Sequence, residues 1–242
     1  MHTDTAVGRY FGGERDVVCR PRANGPTRPG VLMVHGAEAG DGAIDWMGIK
    51  ARWPLFHAVT DAGYVMVSAD LGGSRTWGNG TAMNRITDAV SYLHSLSGVA
   101  PGPVYLACQS MGGLNGLIWA SRNKSSVRAL SATIPVINLT DVRDNSAYQA
   151  TIDAAYAGGY SQAVYGAAHN PLTLAQSGAL NDVPIKLWYG DSDTLCKPQF
   201  AQQFALSCNN CEAVSLSGGH EESTFANFDE QQVVQFYREH EG

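Results

Sequence analysis

Short runs of consecutive apolar residues alternate along the chain with longer stretches whose apolar residues recur every three or four positions. A run of four to eight apolar residues suits a strand buried on both faces, whereas the wider spacing lines one face of a helix. Val31 to His35, Tyr64 to Ala69, Pro103 to Cys108, Val127 to Pro135, Ile185 to Tyr189 and Cys211 to Leu216 read as strands. Helices are predicted from Ile49 to Ala62, Met83 to Leu96, Gly113 to Arg122, Pro198 to Ser207 and Ser223 to Glu239. Such alternation marks an α/β chain with a mostly parallel sheet flanked by helices. Val7 to Arg20, turning at Gly12-Gly13, reads as an antiparallel hairpin at the sheet edge. The rhythm lapses between Asn138 and Asp182, where Ala, Tyr, Gly and Gln dominate. This stretch is expected to be a helical insertion standing over one end of the sheet.

Composition narrows the picture. A length of 242 residues with 44% apolar and 16% charged residues suits one domain spanning 1–242 with a substantial core. The formal charge of −6 argues against a phosphate-backbone partner, so no nucleic acid is expected. The start, Met1-His2-Thr3-Asp4-Thr5, lacks the basic and apolar regions of a secretory signal. No stretch approaches the roughly 18 apolar residues of a membrane span. A cytoplasmic location, or release in an assembled particle, is the expectation. The five cysteines are too few and too scattered for a disulfide framework. Cys208-Asn-Asn-Cys211 has metal or redox spacing but lacks a second pair, so free thiols, or at most one local disulfide, are expected there, with no metal and no cofactor.

The sharpest chemical feature is Cys108-Gln109-Ser110-Met111-Gly112-Gly113, between a predicted strand and a predicted helix. A hydrolase nucleophile stands on such a turn, with its hydroxyl pushed clear of the sheet and small residues two before and two after it. Gly112 meets the requirement, while Cys108 stands where glycine is usual. The bland alternative is a serine that caps the following helix.

A serine hydroxyl needs an imidazole to take its proton and a carboxylate to orient that imidazole. Tyr189-Gly190-Asp191-Ser192-Asp193 follows a later strand, and Ser217-Gly218-Gly219-His220 follows the last. Both lie at carboxyl ends of strands, where open α/β sheets place their sites. Asp193, one step deeper into its loop, is favoured over Asp191, which is better placed to stabilise the turn. The oxyanion formed on attack needs backbone donors. Met111 supplies one, and Ala37, freed by Gly36 in the loop after the first parallel strand, supplies the other.

Other residues carry weaker expectations. Trp46 and Trp77 occupy loops at the catalytic end and either contact substrate or fill the core. His57 and His94 read as helix residues, and His169 as a loop residue that could face substrate. Glu221 and Glu222 suit the amino end of the last helix. Tyr148, Tyr156, Tyr160 and Tyr165 suggest an apolar pocket beneath the insertion.

Taken together, His35-Gly36, the Asp70-Leu71-Gly72-Gly73 loop, the Cys108–Gly113 turn, Gly190-x-x-Asp193 and Gly219-His220 resemble the α/β-hydrolase superfamily over nearly the whole chain. The resemblance implies an eight-stranded core and a small helical lid after the sixth strand, at about 138–182. It also implies a serine esterase acting through an acyl-serine intermediate, with Ser110, Asp193 and His220 as its triad. In that family the acid commonly stands three residues after a strand-ending glycine, as Asp193 does. Thioesterase, lipase or envelope-ester hydrolase activity uses the same residues, and a non-catalytic binding protein on the same scaffold is the alternative of another class. The run Ala69 to Asn79 is similar to that of small esterase-like tail proteins of actinobacterial phages. That likeness implies a virion location and an ester of the host envelope; assembly into a virion or a homo-oligomer stays open.

Overall fold

A computed structural model describes residues 4–10, 14–21, 25–37 and 49–242. The strands are β1 (Asp4–Tyr10), β2 (Glu14–Arg20), β3 (Val31–Val34), β4 (Met66–Ala69), β5 (Val104–Gln109), β6 (Val127–Thr133), β7 (Ile185–Gly190) and β8 (Cys211–Leu216). They join in one sheet in the order β1-β2-β4-β3-β5-β6-β7-β8. Pairings from β4 to β8 are parallel, while β1 with β2 and β2 with β4 are antiparallel. The predicted turn of the first hairpin, Gly12-Gly13, lies outside the described residues.

This order has a consequence for function. From β3 the chain crosses to β4 on one side, and β5 returns to the other side of β3. The reversal opens a crevice at the carboxyl ends of β3 and β5. The loops carrying Ala37 and Ser110 leave from those two ends.

The helices are α1 (Trp53–Asp61), α2 (Gly80–Ser95), α3 (Met111–Arg122), α4 (Leu139–Asn145), α5 (Gln149–Ala154), α6 (Gln162–His169), α7 (Pro171–Gln176), α8 (Pro198–Ser207) and α9 (Glu230–Glu239). One core packs α2, α3, α8 and the insertion helices against the sheet; the other packs α1 and α9 on the opposite face. Helix α2 begins three residues before the predicted start, because the Asn79 side chain accepts from the Ala82 N–H at 3.1 Å. The terminal helix predicted over Ser223–Glu239 is instead two pieces, a 3-10 helix over Glu222–Asn227 and then α9. Phe225 and Phe228 turn inward at the break, Phe228 lying edge-on to Trp188 at 5.1 Å. Asp229 then starts α9 by accepting from Gln231 N–H at 3.1 Å. No helix among the described residues is long and apolar enough to cross a membrane.

The insertion between β6 and β7 carries four short helices, α4 to α7, joined by turns and irregular segments. Asn170 Nδ2 donates to Asn138 Oδ1 at 3.1 Å, which ties its third helix to its entry. The Arg143 guanidinium grips both oxygens of Asp153 at 2.7 and 2.9 Å. Tyr156 and Tyr160, with Leu172, Leu174 and Ala175, are buried in the core. The insertion is therefore packed down onto the sheet layer.

Cysteine at position 108 finds its space from a glycine on α3. A Cβ added at Gly116 would lie 2.5 Å from Cys108 Sγ, so the thiol occupies the hollow that glycine leaves. All five cysteines are free thiols. Gly116→Ala is expected to destabilise the protein by about 1–2 kcal/mol through overpacking, despite the better helix propensity of alanine. Adding Cys108→Ala should recover most of that loss. Urea denaturation of the single and double variants measures the coupling.

Candidate active site

β5 is buried along its whole length and ends at Ser110, where φ is 50° and ψ −119°. A positive φ brings Cβ against the backbone and is adopted by L-residues only where surroundings compel it. The compulsion is visible. Ser110 N–H donates to Thr133 O at 3.1 Å, while Ser110 O accepts from Val136 and Gly113 N–H at 3.0 and 2.9 Å. Position 112 must lack a side chain, because a Cβ there would stand 1.9 Å from Val34 O and 2.5 Å from His35 O. Ile134, at the end of β6, also has a positive φ of 44°. Leu71 and Trp77, after β4, make the carboxyl edge of the sheet its most strained region.

Three side chains meet at this edge. Ser110 Oγ lies 2.9 Å from His220 Nε2, and His220 Nδ1 lies 2.9 Å from Asp193 Oδ2. The other Asp193 oxygen accepts from the N–H groups of Leu195 and Cys196 at 2.8 and 2.7 Å. Asp193 is 3% exposed, and these contacts fix its orientation fully. In this arrangement Nδ1 carries the proton shared with Asp193, leaving the Nε2 lone pair for the serine hydroxyl. The His220 loop is pinned by Thr224 Oγ1, which donates to Gly219 O at 2.8 Å. Asp191 does a different job: its Oδ1 accepts from Gly218 N–H at 3.1 Å and joins the two loops.

Ala37 lines the same cleft as Ser110 and His220, and Met111 opens α3 directly after the serine. The Ala37 loop is anchored through His35, whose Nε2 lies 2.6 Å from Asp70 O and whose Nδ1 lies 2.8 Å from Gly36 O. Both N–H groups thus leave elements bordering the crevice between β3 and β5.

The remaining expectations fare differently. Trp46 lies outside the described residues. Trp77 does not reach the cleft; it is 1% exposed and packs in the core, 5.0 Å from the Tyr148 ring. Tyr148, not Trp77, faces the cleft. An apolar pocket beneath the insertion is not what the tyrosines build, since Tyr156, Tyr160 and Tyr165 pack on one another. Glu221 and Glu222 stand at the amino end of the 3-10 piece, not of α9, and both border the cleft. The cleft, of about 170 Å³, is completed by Arg52, Gln109, Ile134 and Phe225. Gln109 was legible in principle as the residue preceding Ser110; Arg52 and Phe225 arrive from distant segments with no local signal.

Metal-ligand character among the described residues is confined to Asp193, Cys196 and His220, whose donor atoms lie within 4.8 Å of one another. Asp193 and His220 are already bonded to each other, and burial pushes the Cys196 thiol well up, which disfavours the thiolate a metal needs. The set is better suited to holding an imidazole than an ion.

No protein-family model matches the chain, and no curated protein sequence matches it. Solved structures match it in shape. An S-formylglutathione hydrolase from Agrobacterium tumefaciens superposes with a TM-score of 0.75 at 13% identity, over 100% of this chain and 99% of that one. A fluorophosphonate-binding serine hydrolase from Staphylococcus aureus gives 0.73 at 14%, over 97% and 98%. An esterase from Pyrococcus furiosus gives 0.70 at 16%, over 100% and 94%. The chain shares their fold. At such identities the likeness reaches no further than the fold, and residue roles must come from geometry.

His169 closes α6 and lies at the insertion's seam with the body of the protein. Its Nδ1 lies 2.9 Å from Gly78 O, and its Nε2 faces Arg122 Nη2 at 3.2 Å. Burial, with help from the Arg122 charge, holds its pKa below the ordinary value. A histidine depressed in the folded state binds its proton more readily when unfolded. The stability it confers is therefore complete above about pH 6.5 and declines as pH falls below that. Thermal unfolding between pH 7.5 and 5 should show this decline, and His169→Gln should make it shallower.

Proposed function

We propose that the protein is a serine hydrolase that cleaves carboxylic esters through an acyl-serine intermediate. The observation that carries this reading is the unbroken hydrogen-bond chain Ser110–His220–Asp193 at the carboxyl edge of the sheet. His220 Nε2 takes the hydroxyl proton as Ser110 Oγ attacks the ester carbonyl, and Asp193 stabilises the imidazolium that forms. The tetrahedral oxyanion is received by the N–H groups of Ala37 and Met111. Collapse breaks the ester C–O bond, and His220 passes its proton to the departing alcohol. Water then repeats the sequence on the acyl-serine, releasing the acid and restoring Ser110. The fold neighbours, each a hydrolase or esterase, support the same class.

The insertion acts in this reading as a fixed cover that supplies Tyr148 to the cleft wall. A thioester or lipid ester uses the same steps, and a panel of aryl esters, thioesters and amides separates these substrates. The likeness of residues 69–79 to phage tail esterases extends the proposal to an ester of a host envelope. Recovery of the protein with purified virions supports that extension, and confinement to host cytosol removes it. A binding role on the scaffold requires that fluorophosphonate leave Ser110 unlabelled.

Ser110→Ala should lower turnover of short-chain 4-nitrophenyl esters by at least about a thousandfold while leaving the thermal transition in place. Undiminished activity removes Ser110 from the role. Asp193→Asn should lower kcat by about three to four orders of magnitude, since an amide no longer holds the required tautomer. Asp191→Asn should cost less than about tenfold, because it loosens a turn and not the imidazole.

A further inference from the structure

Side chains of β5 alternate between the two cores: Leu106 and Cys108 face the α2–α3 side, Tyr105 and Ala107 the α1–α9 side. The same alternation sends Gln109 toward the α1–α9 side, where it lines the cleft beside Ser110, Ile134 and Phe225. Gln109 is 5% exposed, and its Oε1 is buried with no hydrogen-bond partner. Buried polar atoms are nearly always paired, and an exception at a reacting centre marks a group kept for a ligand. The contrast within the site is direct, because every Asp193 oxygen is occupied by partners from the protein.

We propose that Gln109 determines substrate specificity by accepting, at Oε1, a hydrogen bond from a hydroxyl or N–H group carried close to the scissile carbonyl. The proposal rests on the hydrolase reading above and narrows it: the preferred substrates are compact esters bearing such a donor, not plain alkyl esters. The dimensions and chemistry of the cleft agree. About 170 Å³ suits a small acyl or alcohol group, and the exposed carboxylates of Glu221 and Glu222 at its border would be stripped of water by a long alkyl chain. A site built to bond a polar group rejects the analogue that lacks it, because the group left behind is buried and unpaired.

The test compares matched esters that differ by one group. On the acyl side these are 4-nitrophenyl butyrate, 3-hydroxybutyrate and 3-methoxybutyrate. On the alcohol side they are the acetates of propanol and of propane-1,2-diol. In the wild-type protein, kcat/KM should favour the hydroxylated member of at least one series by about ten- to a hundredfold. The methoxy ester, which accepts but does not donate, should gain nothing. Gln109→Leu should bring the hydroxyl-to-alkyl ratio close to one, with Gln109→Met as the variant of matched length. Fluorophosphonate labelling of Ser110 reports that each variant is folded with its nucleophile intact. The proposal is overturned if the wild type shows no hydroxyl preference in either series, if the methoxy ester does as well, or if the ratio survives in labelled Gln109→Leu. Absence of both turnover and labelling in the wild type would instead sink the hydrolase reading, and this inference with it.

Discussion

The turn at Ser110 is held against its own conformational preference, and three strands are arranged so as to hold it. Its N–H is bonded to the end of β6 and its carbonyl to Val136 beyond that end, while Gly112 rests against the Val34 and His35 carbonyls that close β3. A backbone in this region costs about 1–3 kcal/mol and persists only where the surroundings over-determine it. The order β3-β5-β6 supplies those surroundings, since the central strands are paired on both sides and cannot relax. The strain lifts the serine hydroxyl out of the sheet and into the crevice that the same strand order opens. Fold and serine turn are thus one constraint seen at two scales.

Around that turn, rigidity is passed outward by polar pairs and not by apolar packing alone. Lys197 Nζ reaches Asp141 Oδ1 at 2.7 Å, which links the segment after Asp193 to the first helix of the insertion. Tyr156 OH donates to Trp77 O at 2.6 Å, and Trp77 backs the ring of Tyr148. A cleft wall contributed by the insertion is therefore referenced to the same core that fixes β4 and β5. Partly buried ion pairs that still touch solvent, such as Lys197–Asp141, add little to global stability. Their effect here is geometric, because they join loops that would otherwise move independently.

Much of this was legible in the chain. The positions of the central strands follow from apolar runs buried on both faces, and α8 and the more exposed β8 also fall on their predicted residues. Ser110, Asp193 and His220 were legible because each follows a strand, and strand ends of a parallel sheet share one edge. A loop position at the end of a strand says which edge of the sheet a residue is near but not which way its side chain turns, so Trp77 stayed open between cleft and core until its packing decided for the core. Glu221 and Glu222 do stand at the amino end of a helical piece, but it is the 3-10 turn over Glu222–Asn227, because Phe225 and Phe228 turn the chain before α9 begins. Arg52 and Phe225 reach the cleft through tertiary packing, and no local pattern carries that information.

Cysteine at position 108 shows how the turn at Ser110 keeps its geometry without the usual glycine two residues before the serine. The elbow requires a small volume between β5 and the helix that follows, and a glycine two before the serine is one way to provide it. Here the volume is provided from the opposite side, by Gly116 one turn along α3, with Cys108 Sγ filling the gap. The constraint is on the sum of two facing side chains, so either member can vary while the pair complies. Burial also pushes the Cys108 thiol up in pKa, so the sulfur near Ser110 stays protonated and behaves as an apolar spacer, not a reactive thiolate. A pattern that scores positions singly loses such exchanges, whereas the geometry at Ser110 retains them.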